Sequence, residues 1–138
     1  MARRYLLDTN IASHFIKGTC AAVDRHMNRV SMAQVAISAV TEGELRYGLA
    51  RRPEATRLAR LVEDFLIRVA ILPWDSTCAL QYGRLRAQQE AQGTPLGNLD
   101  TMIAAQALAA GATLVSNDGA FRRIKGLKIE DWSTGPRR

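Results

Sequence analysis

The stretch LDTMIAAQALAAGATLVSND, residues 99–118, joins an alanine-rich helix to a short apolar strand. Gly111 is predicted to end the helix, because glycine readily takes the left-handed conformation that closes helices. The β-branched and apolar residues that follow predict a strand, which ends near Asp118. One carboxylate, Asp100, therefore begins this helix–strand unit, and a second one closes it.

The rest of the chain repeats this alternation of short apolar strands and amphipathic helices. Further strands are predicted at residues 4–8, 34–38, 69–74 and 127–132. Helices are predicted at residues 10–18, 20–30, 41–52, 53–68 and 76–93, with Thr41 and Pro53 opening the third and fourth of them. Because the strands lack polar alternation, they indicate a parallel sheet covered on both faces. We therefore expect an α/β sandwich of three layers, with a central sheet of four to five strands flanked by helices.

The chain has 138 residues, the length of about one domain, and shows no internal repeat, low-complexity segment or linker. We expect a single domain over residues 1–132 and a polar tail over residues 133–138. No segment has the features of a secretion signal or a membrane span, so we expect a cytoplasmic protein without a membrane partner. Cys20 and Cys78 form no CxxC pattern and are expected to be reduced thiols.

The net charge is +6 and the isoelectric point is near 10.0, with arginine supplying most of the positive charge. A basic surface of this kind favours nucleic acid, an acidic protein or an anionic membrane as a partner. A solvated charged face is the simpler interpretation for any single arginine.

Four acids fall at ends of predicted elements. Asp8 and Asp118 follow strands, Glu44 lies one turn into the helix after the second strand, and Asp100 begins a helix. Each acid also has a local explanation. Asp8 can cap a helix, Thr41 and Glu44 have the spacing of a capping box, Asp100 suits a helix dipole, and Asp118 suits a turn.

The four acids together favour a cation site, because functional sites of parallel sheets lie at the carboxyl ends of the strands. Two carboxylates about 4 Å apart repel by about 4 kcal/mol at an effective dielectric constant near 20. Oxygen ligands without nearby Cys or His select a hard cation such as Mg²⁺ or Mn²⁺. His14 and His26 are distant from the acids in sequence, so we expect them to be surface or packing residues.

Four motifs together resemble those of PIN-domain ribonucleases, and among these the VapC toxins of toxin–antitoxin pairs. The motifs are LLDTNI, ISAVTEGELRYG, TPLGNLDTMIAAQALAAGATLVSND and FRRIKGLKIEDW, and the resemblance spans residues 5–132. It implies a PIN-like three-layer fold. It also implies that Asp8, Glu44, Asp100 and Asp118 are the catalytic, metal-binding acids, that Ser116 is a catalytic hydroxyl, and that Thr9 and Asn10 support the site. Gln106 stands where many relatives carry His.

The implied activity is Mg²⁺- or Mn²⁺-dependent cleavage of structured RNA, with tRNA expected, by attack of metal-activated water on a phosphodiester. The implied partners are a VapB-type antitoxin, operator DNA bound only through that antitoxin, and a second copy in a homodimer. Candidate RNA-binding residues are Arg46, Arg51, Arg52, Arg84, Arg86, Arg122 and Arg123. The apolar residues Phe15, Leu45, Leu49, Leu58, Leu61, Val62 and Phe65 are candidates for a partner groove, a dimer face or the core.

Two alternatives stay open at this point. A non-catalytic PIN-like module would bind RNA or protein without cleaving it. A phosphoryl-transfer enzyme with an aspartyl-phosphate would use Asp8, but such enzymes generally need a second Asp at the position where Asn10 stands.

Overall fold

The computed structural model of the chain describes residues 3–134, and residues 135–138 of the predicted tail lie outside the described residues. Within those described residues, five strands alternate with six α-helices, as the sequence predicts. The strands are β1 (Tyr5–Leu7), β2 (Val35–Ser38), β3 (Ala70–Leu72), β4 (Thr113–Val115) and β5 (Ile129–Glu130). The helices are α1 (Thr9–Lys17), α2 (Ala21–Arg29), α3 (Ala39–Ala50), α4 (Thr56–Arg68), α5 (Ser76–Gln92) and α6 (Asn98–Ala110), with 3₁₀ segments at Met32–Gln34 and Gly119–Arg123.

The strands form one parallel sheet in the order β3-β2-β1-β4-β5. Leu6 in the central strand β1 lies opposite Ala36 of β2 and Leu114 of β4. From β1 the chain builds the sheet outward in one direction through β2 and β3, and then returns to place β4 on the other side of β1. Such a reversal of strand order leaves a crevice at the carboxyl ends of the two strands, β1 and β4.

Successive residues of the short strands enter two different cores, because side chains alternate between the faces of a sheet. Leu6 and Leu114 pack with α5 and α6, whereas Leu7, Ile37 and Val115 pack with α1, α2 and α4. All five side chains are fully buried. The predicted three-layer α/β/α arrangement is therefore confirmed, and it explains why these strands read as continuous apolar runs.

Two predicted helix starts are wrong. Helix α3 begins at Ala39, and its N-cap is Ser38, whose hydroxyl accepts a hydrogen bond from the Val40 amide at 2.9 Å. Thr41 is therefore the third residue of the helix and does not cap it.

Helix α4 begins at Thr56 rather than at Pro53. The Ala55 amide donates to the Arg52 carbonyl at 3.0 Å, so Pro53 occupies the second position of a turn. Proline favours that position because its ring fixes the φ angle that the turn requires.

No helix among residues 3–134 is both long enough and apolar enough to cross a membrane. Both cysteines are free thiols, as expected, with Cys78 buried and Cys20 half-buried. The two histidines take the structural roles predicted for them. His14 is hydrogen-bonded to the Thr19 hydroxyl at 2.8 Å, and His26 stacks on Trp132 with ring centroids 5.4 Å apart.

Candidate active site

Asp8 stands at the carboxyl end of β1 and is the N-cap of α1. Its Oδ1 accepts a hydrogen bond from the Ile11 amide at 2.8 Å, so the local explanation of this acid is correct. That explanation is incomplete, because Asp8 is only 6% exposed and has acidic neighbours. Burial raises the pKa of Asp8, the Ser116 hydroxyl and the Ile11 amide act in the opposite direction, and the charges of Asp100 and Asp118 raise it further.

Ser116 and Asp118 lie just beyond β4, beside the end of β1. The buried Ser116 hydroxyl accepts a hydrogen bond from the Asp118 amide at 3.0 Å. The exposed Asp118 carboxylate caps the following 3₁₀ segment by accepting from the Ala120 amide at 2.9 Å. The turn after β4 is thus shaped by the same two side chains that were predicted to work in the site.

Glu44 reaches this edge from the second turn of α3 and is half-buried. The Thr9 hydroxyl donates a hydrogen bond to Glu44 Oε1 at 2.6 Å. The Thr9 oxygen also lies 3.1 Å from the Thr41 hydroxyl. The Glu44 carboxylate is therefore hydrogen-bonded to the residue that follows Asp8 in the chain.

Asp100 is the third residue of α6 and is half-buried. Burial raises its pKa most, and the charges of Asp118 and Glu44 raise it further. Because Asp8 is affected by the charges of Asp100 and Asp118, the electrostatic contacts connect all four acids. The structure thus brings the four predicted acids together at the crevice between β1 and β4.

The chemistry of these side chains fits a hard divalent cation. Within residues 3–134, none of the four acids forms a salt bridge with Arg, Lys or His, although the chain is rich in arginine. Their shared negative charge is therefore not neutralised by the described part of the protein, and carboxylate oxygens are ligands that Mg²⁺ and Mn²⁺ prefer. In that same part of the chain, no three Asp, Glu, His or Cys side chains are arranged so that together they could hold a metal ion.

Two contacts at the site were not predicted from the sequence. Asn10 Nδ2 donates to Asn117 Oδ1 at 3.1 Å, and this bond connects the segment after β1 to the segment after β4. Thr41, the presumed helix cap, is fully buried and contacts Thr9. In the sequence, only their positions beside the acids point to these two residues. Asn117 directly precedes Asp118, and Thr41 lies three residues before Glu44.

The candidate RNA-binding arginines differ in how they are engaged. Arg46 forms salt bridges with Glu42 and Glu63, at 3.0 and 2.9 Å. Arg86 bonds Glu90 and the Tyr82 hydroxyl. The other candidates, all exposed, are Arg51 (which lies over the Tyr47 ring), Arg52, Arg84, Arg122 and Arg123. Of these, Arg122 and Arg123 belong to the 3₁₀ segment that Asp118 caps, so they are the closest to one of the four acids along the chain.

A cleft of about 270 Å³ runs from Thr9 and Glu44 along α1, α3 and α4. Its apolar lining is formed by Ile16, Leu45, Leu49, Leu58 and Val62, and its basic residues are Lys17, Arg51 and Arg52. Of the apolar candidates, Val62 and Phe65 are buried in the core, whereas Leu61 is 37% exposed. Leu45, Leu49 and Leu58 are half-buried and accessible from the cleft.

Comparison with known proteins finds relatives that are similar to this chain over nearly its whole length. A family model of the PIN domain matches residues 5–127. The tRNA(fMet)-specific endonuclease VapC of Shigella flexneri is 37% identical over 131 residues, which cover 94% of this chain and 98% of that protein. Ribonuclease VapC2 of Rickettsia felis is 34% identical and covers 93% and 97%, respectively.

Solved structures agree. A chain in the crystal structure of DNA-bound VapBC from Salmonella typhimurium has a TM-score of 0.87 and 34% identity, over 95% of this chain and 99% of that one. A chain of VapBC2 from Rickettsia felis, bound to a DNA fragment from its promoter, has a TM-score of 0.85 and 32% identity, over 93% and 98%.

Proposed function

This chain belongs to the PIN-domain family, among its VapC ribonucleases, and from that premise we propose that it is a metal-dependent endoribonuclease toxin. The observation that carries the proposal is the convergence of Asp8, Glu44, Asp100 and Asp118 at the β1–β4 crevice without a basic partner among the described residues. The complete set of four acids supports cleavage rather than a PIN-like module that only binds.

We propose that Asp8, Asp100 and Asp118 hold Mg²⁺ or Mn²⁺, with Glu44 binding directly or through water. Bound there, the ion would stabilise negative charge on the phosphodiester and lower the pKa of a water molecule. We further propose that Ser116, which is buried beside Asp8, orients a phosphate oxygen or the attacking water. Hydrolysis would leave a 5′ phosphate and a 3′ hydroxyl.

We propose tRNA as the substrate, since one relative is named for cleavage of a tRNA and the surface of this chain is basic. Arg122 and Arg123 are the strongest candidates for phosphate contacts, because they lie in the segment that Asp118 caps, are exposed and have no salt bridge among the described residues. A role in RNA binding stays a prediction for the other five candidates, Arg46, Arg51, Arg52, Arg84 and Arg86. The substrate also favours a cytoplasmic location.

Purified wild-type protein is expected to cleave total bacterial tRNA in Mg²⁺ and to stop when EDTA removes the ion. Asp100→Asn, which keeps the size of the side chain, should cut at least 100-fold more slowly, because several kcal/mol of transition-state stabilisation depend on the ion. Sequencing of 5′-phosphate ends from timed reactions of wild type and of Asp100→Asn measures the rate of cleavage and maps the cut site. Equal cleavage by the Asn variant, or cleavage in EDTA, would reject the proposal. Binding of tRNA without cleavage would favour the non-catalytic module instead.

We also propose a VapB-type antitoxin as partner, because the structural relatives are VapBC complexes, some with DNA. The cleft beside Glu44 offers apolar contacts to such a partner, and a basic side chain of the partner could enter the acidic crevice. DNA would be bound only through the antitoxin.

A homodimer stays a proposal, and the exposed Leu61 and Ile67 on α4 are candidates for its interface.

Truncation of the cleft should separate antitoxin binding from catalysis. Leu49→Ala, which removes a half-buried side chain from the cleft, is expected to weaken the complex with the cognate antitoxin by about 30-fold, the size of an interface hot spot. Calorimetric titration measures the affinity, and cleavage of tRNA by the free variant should stay within a few-fold of wild type. Leu80→Ala, on the exposed surface of α5, is the matched control. An unchanged affinity for Leu49→Ala would place the antitoxin elsewhere.

A further inference from the structure

Three side chains form an ordered chain of hydrogen bonds behind the acidic crevice. Thr9 Oγ1 lies 2.6 Å from Glu44 Oε1 and 3.1 Å from Thr41 Oγ1. Thr41 has no exposed surface and Thr9 is half-buried. This series of hydrogen bonds therefore runs from the interior of the protein towards the acid.

The direction of the protons follows from chemistry. An ionised carboxylate can only accept hydrogen bonds, so the single hydroxyl proton of Thr9 is donated to Glu44. The Thr9 oxygen is then the acceptor of its other contact, and Thr41 must be the donor. The 2.6 Å distance is that of a charge-assisted O–H···O⁻ bond, which is stronger than a neutral one. Donation from Thr41 polarises the Thr9 hydroxyl and strengthens this bond further.

This chain also fixes where Glu44 lies. A glutamate on a helix has three rotatable side-chain bonds, and ordering it costs conformational entropy. The Thr9 bond holds Oε1 and leaves Oε2 available to a ligand. Since Thr9 is the first residue of α1 and directly follows Asp8, the bond also restrains Glu44 relative to Asp8, which is the cap of a different helix.

We propose that Thr41 and Thr9 are positioning residues that orient Glu44 for the divalent cation, with Thr41 acting only through Thr9. This inference rests on the proposed function, in which Glu44 takes part in binding the ion. Residues that hold metal ligands in this way typically change metal affinity or activity by about 10- to 100-fold when they are replaced.

The test compares hydroxyl removal with hydroxyl retention in the full-length chain. Thr41→Val and Thr9→Val keep the branched shape without the hydroxyl, whereas Thr41→Ser and Thr9→Ser keep the hydroxyl. Mn²⁺ affinity, measured by the loss of the free-ion signal in electron paramagnetic resonance, should fall about 10-fold or more in each Val variant and stay within about 3-fold in each Ser variant. The double Val variant should be no weaker than Thr9→Val alone.

A second background isolates the role of Glu44. In Glu44→Gln, adding Thr41→Val should give no further loss of Mn²⁺ affinity, because there is no carboxylate left to position. Wild-type Mn²⁺ affinity in the Val variants, or an undiminished effect of Thr41→Val in the Glu44→Gln background, would overturn the inference. If Thr41→Val does not fold, Thr9→Val alone decides the question, since that side chain is half-buried.

The outcome is separable from that of the proposed function. If wild type cleaves tRNA, Asp100→Asn does not, and both Val variants match wild type in Mn²⁺ affinity, only the positioning inference fails. If wild type cleaves no RNA while the Val variants lose Mn²⁺ and the Ser variants retain it, the proposed nuclease function fails and the positioning of Glu44 stands.

Discussion

Asp8→Asn is expected to lose RNA cleavage by two to three orders of magnitude and to unfold at a higher temperature than wild type at pH 7 in EDTA. The loss of rate follows from removing a charged ligand at the centre of the acidic crevice. Several kcal/mol of transition-state stabilisation correspond to about 10²–10³ in rate. A nuclease assay on tRNA and a thermal melt by circular dichroism measure the two effects.

The gain in stability follows from the direction of the pKa shift. The pKa of Asp8 is raised mainly by burial, and the charges of Asp100 and Asp118 add to it, despite the hydrogen bond from Ile11. A carboxyl whose pKa is higher in the folded protein destabilises the fold once it is ionised. The free energy of unfolding of wild type should therefore fall as the pH rises from about 3.9, the ordinary pKa of an aspartate, through the raised pKa of Asp8. The advantage of Asp8→Asn should be absent in acid and complete above that window.

Asp8→Ala is the matched control, because it removes the charge and also the cap of α1. An asparagine oxygen can still accept the 2.8 Å bond from the Ile11 amide, whereas alanine cannot. Both variants should be inactive, and the Ala variant should be less stable than the Asn variant by about 0.5–2 kcal/mol. A rate near that of wild type for Asp8→Asn would remove Asp8 from the catalytic group. A lower melting temperature for that variant at pH 7 would show that the cap prefers the charged form.

Position along parallel strands is enough to predict from the sequence that Asp8 and Asp118 lie at one edge of the sheet, and their role as site residues stays a prediction. Any residue that follows β1 or β4 must lie at the same edge of the sheet. The local explanations did not compete with this prediction. Asp8 and Asp118 do cap helical segments, and both follow strands that end at the same edge of the sheet.

The contacts that hold the site could not be predicted in the same way. Thr41 has the usual features of a helix cap, and only the fold shows that Ser38 takes that role one turn earlier. The Thr41 hydroxyl is then free to contact Thr9, a residue 32 positions away in the chain. Pairing between side chains of different elements depends on rotamers and on the distance between helices, and neither quantity follows from periodicity.

Divalent cation is expected to raise the melting temperature of wild type, and to do so more strongly at pH 7.5 than in acid. Saturation at about 100 times the Kd stabilises a protein by about 2.7 kcal/mol, which for this size is roughly 10 °C. In EDTA, stability falls as pH rises through the raised pKa values of Asp8 and Asp100, because the folded protein must hold ionised carboxylates in a half-buried cluster. The cation binds those ionised forms and offsets their cost, whereas protonated carboxyls do not bind it.

Melting curves in EDTA and in Mg²⁺ should therefore separate with rising pH and converge below the raised pKa values. NaCl at matched ionic strength is the control, since screening alone weakens repulsion between buried charges only slightly. The Asp8→Asn/Asp100→Asn double variant should show almost no Mg²⁺ shift, because two of the three charged side chains proposed to hold the ion directly are gone. A Mg²⁺ shift that is the same at every pH, or one that survives in this variant, would mean that the ion stabilises the protein at another place. The pH dependence thus links the electrostatic strain among these acids to their proposed role as ligands, since the same repulsion that weakens the metal-free fold favours binding of the cation.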